Sequence, residues 1–353
     1  MASFITSSKP VHGIFIILST ALLLLTSCTK EPLEPTADET PYLYQLPPGF
    51  PPPTASTENP MTIAKVELGR RLFYDPILSA DQSISCNSCH KQEFAFADNV
   101  SISSGVGGRL GFRNAPTLAN VAYLGAMHKD GGVPKLDMQA ATPIEDAAEM
   151  DLSIFDAADR LNADETYQEA FFRAFGRKAD AFTITRALAA FQRTMISGNS
   201  SYDRFLQNPE QYPLSASAQS GLQLFFSEEL ACSSCHAGFN FTNNAFLNNG
   251  TKLDYSADPG VYRVSIDSLD IGKFRVPTLR NIALTAPYMH DGSLPDLEAV
   301  INHYNQGGKE HPLQDSRVQP LHLSAQQKED LKAFLEALTD ETFIEDERYR
   351  KRE

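Results

Sequence analysis

In several stretches of the chain, apolar residues recur with a helical period. In "AFTITRALAAFQRTMIS" the residues Ile184, Leu188, Phe191 and Met195 fall on one face, which predicts a helix with a buried stripe. In "LSAQQKEDLKAFLEALTD" Ser324 stands three residues before Gln327, the pairing that caps a helix start, and Leu331, Phe334, Leu335 and Leu338 follow at helical spacing. "SLPDLEAVINHY" predicts a further helix, starting near Ser293 with Pro295 in its first turn. Leu297, Val300, Ile301 and Tyr304 share one of its faces, and His303 turns about 100° away from Tyr304. Runs that alternate apolar and polar residues, the mark of a half-buried strand, are scarce. The expected fold class is mostly α, with long loops and little β.

The N-terminal pattern is of another kind. "IFIILSTALLLL" is an apolar run of signal-peptide length, too short to span a bilayer comfortably. It runs into Leu25-Thr26-Ser27-Cys28, which resembles a bacterial lipobox, where cleavage precedes the cysteine and the cysteine is acylated. Residues 1–27 are thus expected to be a lipoprotein leader, with Cys28 as the lipid attachment site. Residues 28–60 are proline-rich without an apolar period and read as an extended tether. An exported bacterial lipoprotein, facing the periplasm or lying at the cell surface and held to a membrane by its lipid, is the implied location.

The 353 residues suffice for two modest cores. Acidic residues outnumber basic ones, 44 to 30, for a formal charge of −14. That balance argues against a nucleic-acid partner and suits a basic protein partner or plain solubility.

The cysteines carry the chemistry. Of five, one is Cys28 and the other four form two Cys-x-x-Cys-His motifs, Cys86-Asn-Ser-Cys89-His90 and Cys232-Ser-Ser-Cys235-His236. A zinc site would need a second ligand pair beside each motif, and neither has one. A thioredoxin-like dithiol would want a βαβ setting and no obligatory histidine. Covalent haem c needs two thiols one helical turn apart and an adjacent histidine as proximal iron ligand, which both motifs supply. Two haem c groups are expected, with His90 and His236 as iron ligands. The flanks echo each other as well: "NAPTLANVAYLGAMHKDGG" parallels "RVPTLRNIALTAPYMHDGS". Duplication of a whole unit predicts two cytochrome-c-like haem domains, 61–205 and 206–345, and a charged tail, 346–353.

The ordered set "SCNSCH", "GFRNAPTLAN", "QAATPIEDAAEM", "ACSSCH", "FRVPTLRNIALTAPYMHDGSLPDLEAV" and "LHLSAQQKEDLKAFLEALTD" resembles the bacterial dihaem cytochrome c peroxidases and their relative MauG, over about residues 60–340. The resemblance implies peroxide chemistry at the N-terminal haem, with Glu149 as acid–base group and Gln139, ten residues earlier, orienting peroxide. Many members gate this haem with a histidine after the first motif, but residues 91–113 contain none, so an open or water-bound iron is expected. His128 is the minor alternative. At the second haem the resemblance places a distal tyrosine at Tyr304, against the alternative of a core tyrosine with Met289 as ligand. It further implies calcium between the haems, on the Asn114 side chain and the carbonyls of Thr285 and Pro287. Arg275 and Arg280 are candidate partners for haem propionates, with ordinary surface arginines as the alternative. One departure stands out: where the family carries an inter-haem tryptophan this chain has Lys129, and it contains no tryptophan at all.

The implied activity is reduction of hydrogen peroxide to water, with electrons relayed through the C-terminal haem from a small, basic cytochrome or copper protein. The alternative is a MauG-like enzyme that turns peroxide's oxidising power on residues of a partner protein. A dihaem electron carrier without catalysis is a third class, which Gln139, Glu149 and the ligand-poor loop oppose. A homodimer is one option for the assembly.

Overall fold

A computed structural model describes residues 5–10, 36–54 and 56–352. Residues 5–10 belong to a separate N-terminal unit and are exposed coil. The expected leader and Cys28 lie outside the described residues, apart from that short stretch of the leader. No helix among the described residues is long and apolar enough to cross a membrane. From residue 35 onward the chain forms one compact unit.

That unit is mostly helical, as expected. Among the described residues the sheet is a single antiparallel pair, Phe246–Leu247 against Phe274–Arg275, with Phe246 opposite Arg275. The helix Ile63–Tyr74 crosses Ala181–Arg193, and Ala216–Phe225 crosses Ala325–Glu336. The crossings share one device. A Cβ on Gly69 would lie 1.9 Å from the carbonyl oxygen of Ala187, and one on Gly221 would lie 1.9 Å from that of Asp330. Only glycine allows backbones this close. Each crossing buries aromatic rings beside the glycine, Phe73 on Phe191 at 5.4 Å and Phe225 on Phe334 at 5.1 Å. Two hydrophobic clusters grow from these contacts, one around Leu72, Phe73 and Phe191, the other around Phe225, Phe334 and Leu338.

Local signals explain the helix ends. Ser324 and Gln327 cap each other as the sequence predicts, with bonds of 3.2 and 2.9 Å. Ala181–Arg193 starts on a capping box between Asp180 and Thr183. The helix expected from Ser293 starts later, at Leu297: the Asp296 carboxylate accepts from Ala299 N–H at 2.8 Å and outcompetes the serine as cap, leaving Pro295 before the helix.

Both ends of the unit are tied down. Within the expected tether, residues 36–54 and 56–60 pack against the body. Tyr42 and Ile63 pair with Met61 and Thr40 across an antiparallel bridge, each N–H···O at 3.0 Å, and Phe50 packs edge-on against Phe239 at 4.7 Å. Asn59 is buried and donates to Asp137 at 2.8 Å. The expected charged tail, 346–353, is anchored as well. Tyr349 is buried in the first cluster and donates its hydroxyl to the Thr194 carbonyl at 2.7 Å.

Candidate haem sites

Each Cys-x-x-Cys-His motif is wound into one tight turn, the helix Cys86–Cys89 and the 3-10 turn Cys232–Ser234. All four cysteines are free. Burial pushes the Cys86 thiol up to about 12 and the Cys232 thiol to about 11, and raises Cys89. A redox dithiol works through a depressed thiol pKa, and burial moves these three thiols the other way.

The histidine that follows is oriented the same way twice. Nδ1 of His90 lies 2.9 Å from the Phe96 carbonyl oxygen, and Nδ1 of His236 lies 3.1 Å from that of Phe241. A carbonyl only accepts, so Nδ1 carries the proton and Nε2 keeps its lone pair for a metal. Phe96 and Phe241 are both left-handed, at φ +59° and +49°. A threonine holds the carbonyl just before each: Thr117 donates to Ala95 at 2.6 Å and Thr278 to Asn240 at 2.7 Å. Burial keeps both imidazoles below the usual histidine pKa, hence neutral.

Cys232, Cys235 and His236 open onto a largely apolar cavity of about 320 Å³. Arg275 lines it, and its buried Nε has no hydrogen-bond partner; burial lowers this guanidinium to about 10. A buried, unpartnered cation is costly, and a carboxylate on a bound group would satisfy it. Two thiols, an imidazole nitrogen, an apolar slot and an orphaned guanidinium together fit haem c. Arg280, the other arginine candidate, is unavailable: it is buried and forks onto Asp203 at 2.8 and 2.9 Å.

Tyr304 and Met289, the alternative distal ligands, both line this cavity and share one neighbour. Asn249 Nδ2 donates to the Tyr304 hydroxyl at 3.2 Å and to Met289 Sδ at 3.3 Å. Thr251 donates to the Asn249 side-chain oxygen and so fixes which way the amide faces. Sequence reasoning missed Asn249; its only signal was an Asn-Asn-Gly turn.

At the first motif, Gln139 is half-buried at the end of the helix Leu136–Gln139, and Glu149 sits in the turn after Ala141–Glu145. No hydrogen bond joins their side chains. Glu149 is exposed by accessible area, yet the protein crowded around its carboxyl raises it to about 7, chiefly by desolvation and then through the charge of Asp146. Its charge acts on both Cys86 and Cys89, so the acid lies beside the first motif. The glycine-rich loop is pinned over that turn: Val106 N–H donates to the Glu149 carbonyl at 2.8 Å, and a Cβ on Gly105 would lie 2.2 Å from the Ala148 oxygen. His128 has Asp130, Arg113, Arg275 and Arg263 for charged neighbours, none of them from the Gln139–Glu149 segment.

Asn114, Thr285 and Pro287 line the wall of the same large cavity, together with Lys129. Asn114 is buried, and its side-chain oxygen lies 3.5 Å from Lys129 Nζ.

A profile of the di-haem cytochrome c peroxidase family matches residues 63–211. The methylamine utilization protein MauG of Methylorubrum extorquens is 35% identical over 300 residues, 84% of this chain and 84% of that protein. Cytochrome-c peroxidase IdrP1 of a Pseudomonas species is 33% identical over 368 residues, 94% of this chain and 93% of that one. The crystal structure of a MauG-like protein associated with microbial copper homeostasis matches with a TM-score of 0.82 at 36% identity, covering 88% of this chain and 99% of that one. With the twice-built motif and the cavity fitted to a haem, these likenesses show that the chain belongs to the di-haem cytochrome c peroxidase and MauG family, whose members hold two haem c groups.

Proposed function

We propose that the protein reduces hydrogen peroxide to water at the haem on Cys86, Cys89 and His90, with electrons entering through the haem on Cys232, Cys235 and His236. Haem c supplies the iron that takes up peroxide at one site and passes electrons at the other. The reaction consumes two electrons and two protons per peroxide and releases two waters. The observation that carries the reading is the Glu149 carboxyl, raised to about 7 beside the first motif. Near neutral pH such a group takes the proton from one peroxide oxygen and returns it to the other. Gln139 offers an amide to orient the peroxide. At the second site Tyr304, which accepts from Asn249 at 3.2 Å, would hold the haem iron, with Met289 as the alternative.

The electron donor is a small cytochrome or copper protein, and the acidic excess of this chain favours a basic one. The duplicated motifs support haem domains at 61–205 and 206–345. Acylation of Cys28 after loss of the leader would hold the body to a membrane outside the cytoplasm. The calcium that the resemblance implies at Asn114, Thr285 and Pro287 would use an amide oxygen and carbonyls suited to a hard cation, but Lys129 Nζ lies 3.5 Å from that amide oxygen.

A MauG-like reading, oxidation of residues on a partner protein, is favoured by the loop over Glu149, which carries no histidine, and by Tyr304. Fully ferric, haem-loaded protein mixed with stoichiometric peroxide tests both. A prompt Soret shift followed by turnover of a reduced small cytochrome supports the peroxidase. The same shift without turnover, with oxidised residues appearing on a partner protein, supports the second reading. Silence at every redox level overturns both.

A further inference from the structure

The two halves meet through a reciprocal pair of main-chain bonds. Asn114 and Arg275 are equivalent in the repeat, each two residues before Pro-Thr; Lys129 and His290 are equivalent, each just before Asp-Gly. Asn114 N–H donates to the His290 carbonyl at 2.9 Å, and Arg275 N–H donates to the Lys129 carbonyl at 2.8 Å. The turns match as well: bridges join Met127 to Val133 and Tyr288 to Leu294, with His128 and Met289 left-handed at φ +63° and +77°.

The side chains break this symmetry. Where the second half stacks His290 on Phe274 at 4.1 Å, the first half sends Lys129 across the junction. Its Nζ donates to the Met289 carbonyl at 3.0 Å and the His290 carbonyl at 3.3 Å, and lies 3.5 Å from Asn114 Oδ1. All three acceptors are neutral oxygens, the donor set a hard cation selects. Asn114 Oδ1 is also the one side-chain oxygen on which the family's calcium would depend. Calcium bound to it at about 2.4 Å would sit within about 6 Å of the amine.

We propose that Lys129 is the built-in occupant of this junction and that the protein holds no structural calcium there. Whether charged or neutral, the amine occupies the space beside Asn114 Oδ1, the one side-chain oxygen that the ion would need. The inference rests on the dihaem reading for the place of the ion and departs from it on what fills that place.

The test uses the haem-loaded protein, with two haems per chain confirmed by a pyridine haemochrome spectrum, so that the family reading is checked separately. Elemental analysis after gel filtration should find calcium far below one per chain. Neither EGTA nor calcium at about 1 mM, the weak end of extracellular calcium modules, should move Tm. Lys129→Met should bind about one calcium by titration calorimetry and gain a calcium-dependent Tm. One tightly held calcium in the wild type, or a wild-type Tm that falls with EGTA, overturns the proposal. So does a folded Lys129→Met protein that binds none. If that variant does not fold, the wild-type metal content and the EGTA response decide alone.

Discussion

The main-chain carbonyl of Glu149 accepts a hydrogen bond from the main-chain N–H of Val106 at 2.8 Å, which fastens the glycine-rich loop to the acid's turn. The acid's raised pKa then acts on a fixed geometry. A base must be ionised, so the rate of reaction with peroxide should rise as pH climbs through about 7 and level off above it. Glu149→Gln should lower that rate by about 10²–10⁴ and abolish the inflection, read by stopped-flow at the Soret band. The folded state binds this proton more tightly than the unfolded chain does. The group's contribution to stability is therefore full below the ordinary value of 4.5 and lost as pH rises through about 7. The Tm of Glu149→Gln relative to wild type should accordingly be higher at pH 8 than at pH 4.

Asn249 donates to both Tyr304 and Met289, and its removal should loosen whichever of them is the ligand. Asn249→Leu forfeits its hydrogen bonds, each of about 1 kcal/mol, at the second site only. The ferric EPR signal and reduction potential of that haem should shift, while those of the first stay put. An unchanged second signal would remove Asn249 from the ligand's support.

Arg275 and Arg280 should separate cleanly. Arg280→Leu strands the buried Asp203 carboxylate and should cost about 3–5 kcal/mol in urea unfolding. Arg275→Leu removes a guanidinium whose Nε has no partner in the polypeptide, so it should leave haem-free stability nearly unchanged and shift the potential of the second haem. Equal stability losses would mean that Arg275 is a structural residue too.

The glycine crossings predict paired effects. Alanine at Gly69 or Gly221 gains about 1 kcal/mol of helix propensity but drives a methyl into the opposing backbone. Net losses of about 1–3 kcal/mol are expected at either site, read by denaturant midpoint. A neutral result at one site would show that its crossing can open without cost.

What could be read in the sequence was local. Ser324 and Gln327 lie three residues apart, and both partners of that cap are visible in one line of text. The two haem motifs are equally local, down to the histidine. What could not be read depends on partners far along the chain. Arg280 looked as free as Arg275 because Asp203 is 77 residues away. Asn249 meets Tyr304 across 55 residues, and Lys129 reaches Met289 across 160. Even the start of the helix Leu297–Asn305 turned on a contest between two capping residues that composition alone does not decide.

The segment from residue 36 to 60 has a mechanical consequence. Tension entering at its upstream end meets first the Asp38 N–H bond to Arg173, then the two rungs at Thr40–Ile63 and Tyr42–Met61, which open one after the other as a zipper does. Behind them, Phe50 is wedged against Phe239 and Tyr123, and Pro51 is held by the Tyr123 hydroxyl at 2.8 Å. A tug would thus be shared among several weak, quickly re-formed contacts along the strap rather than falling on the helix Ile63–Tyr74 alone. Such a strap would act as a strain relief, like the clamp on a cable, between whatever lies upstream and the first haem motif.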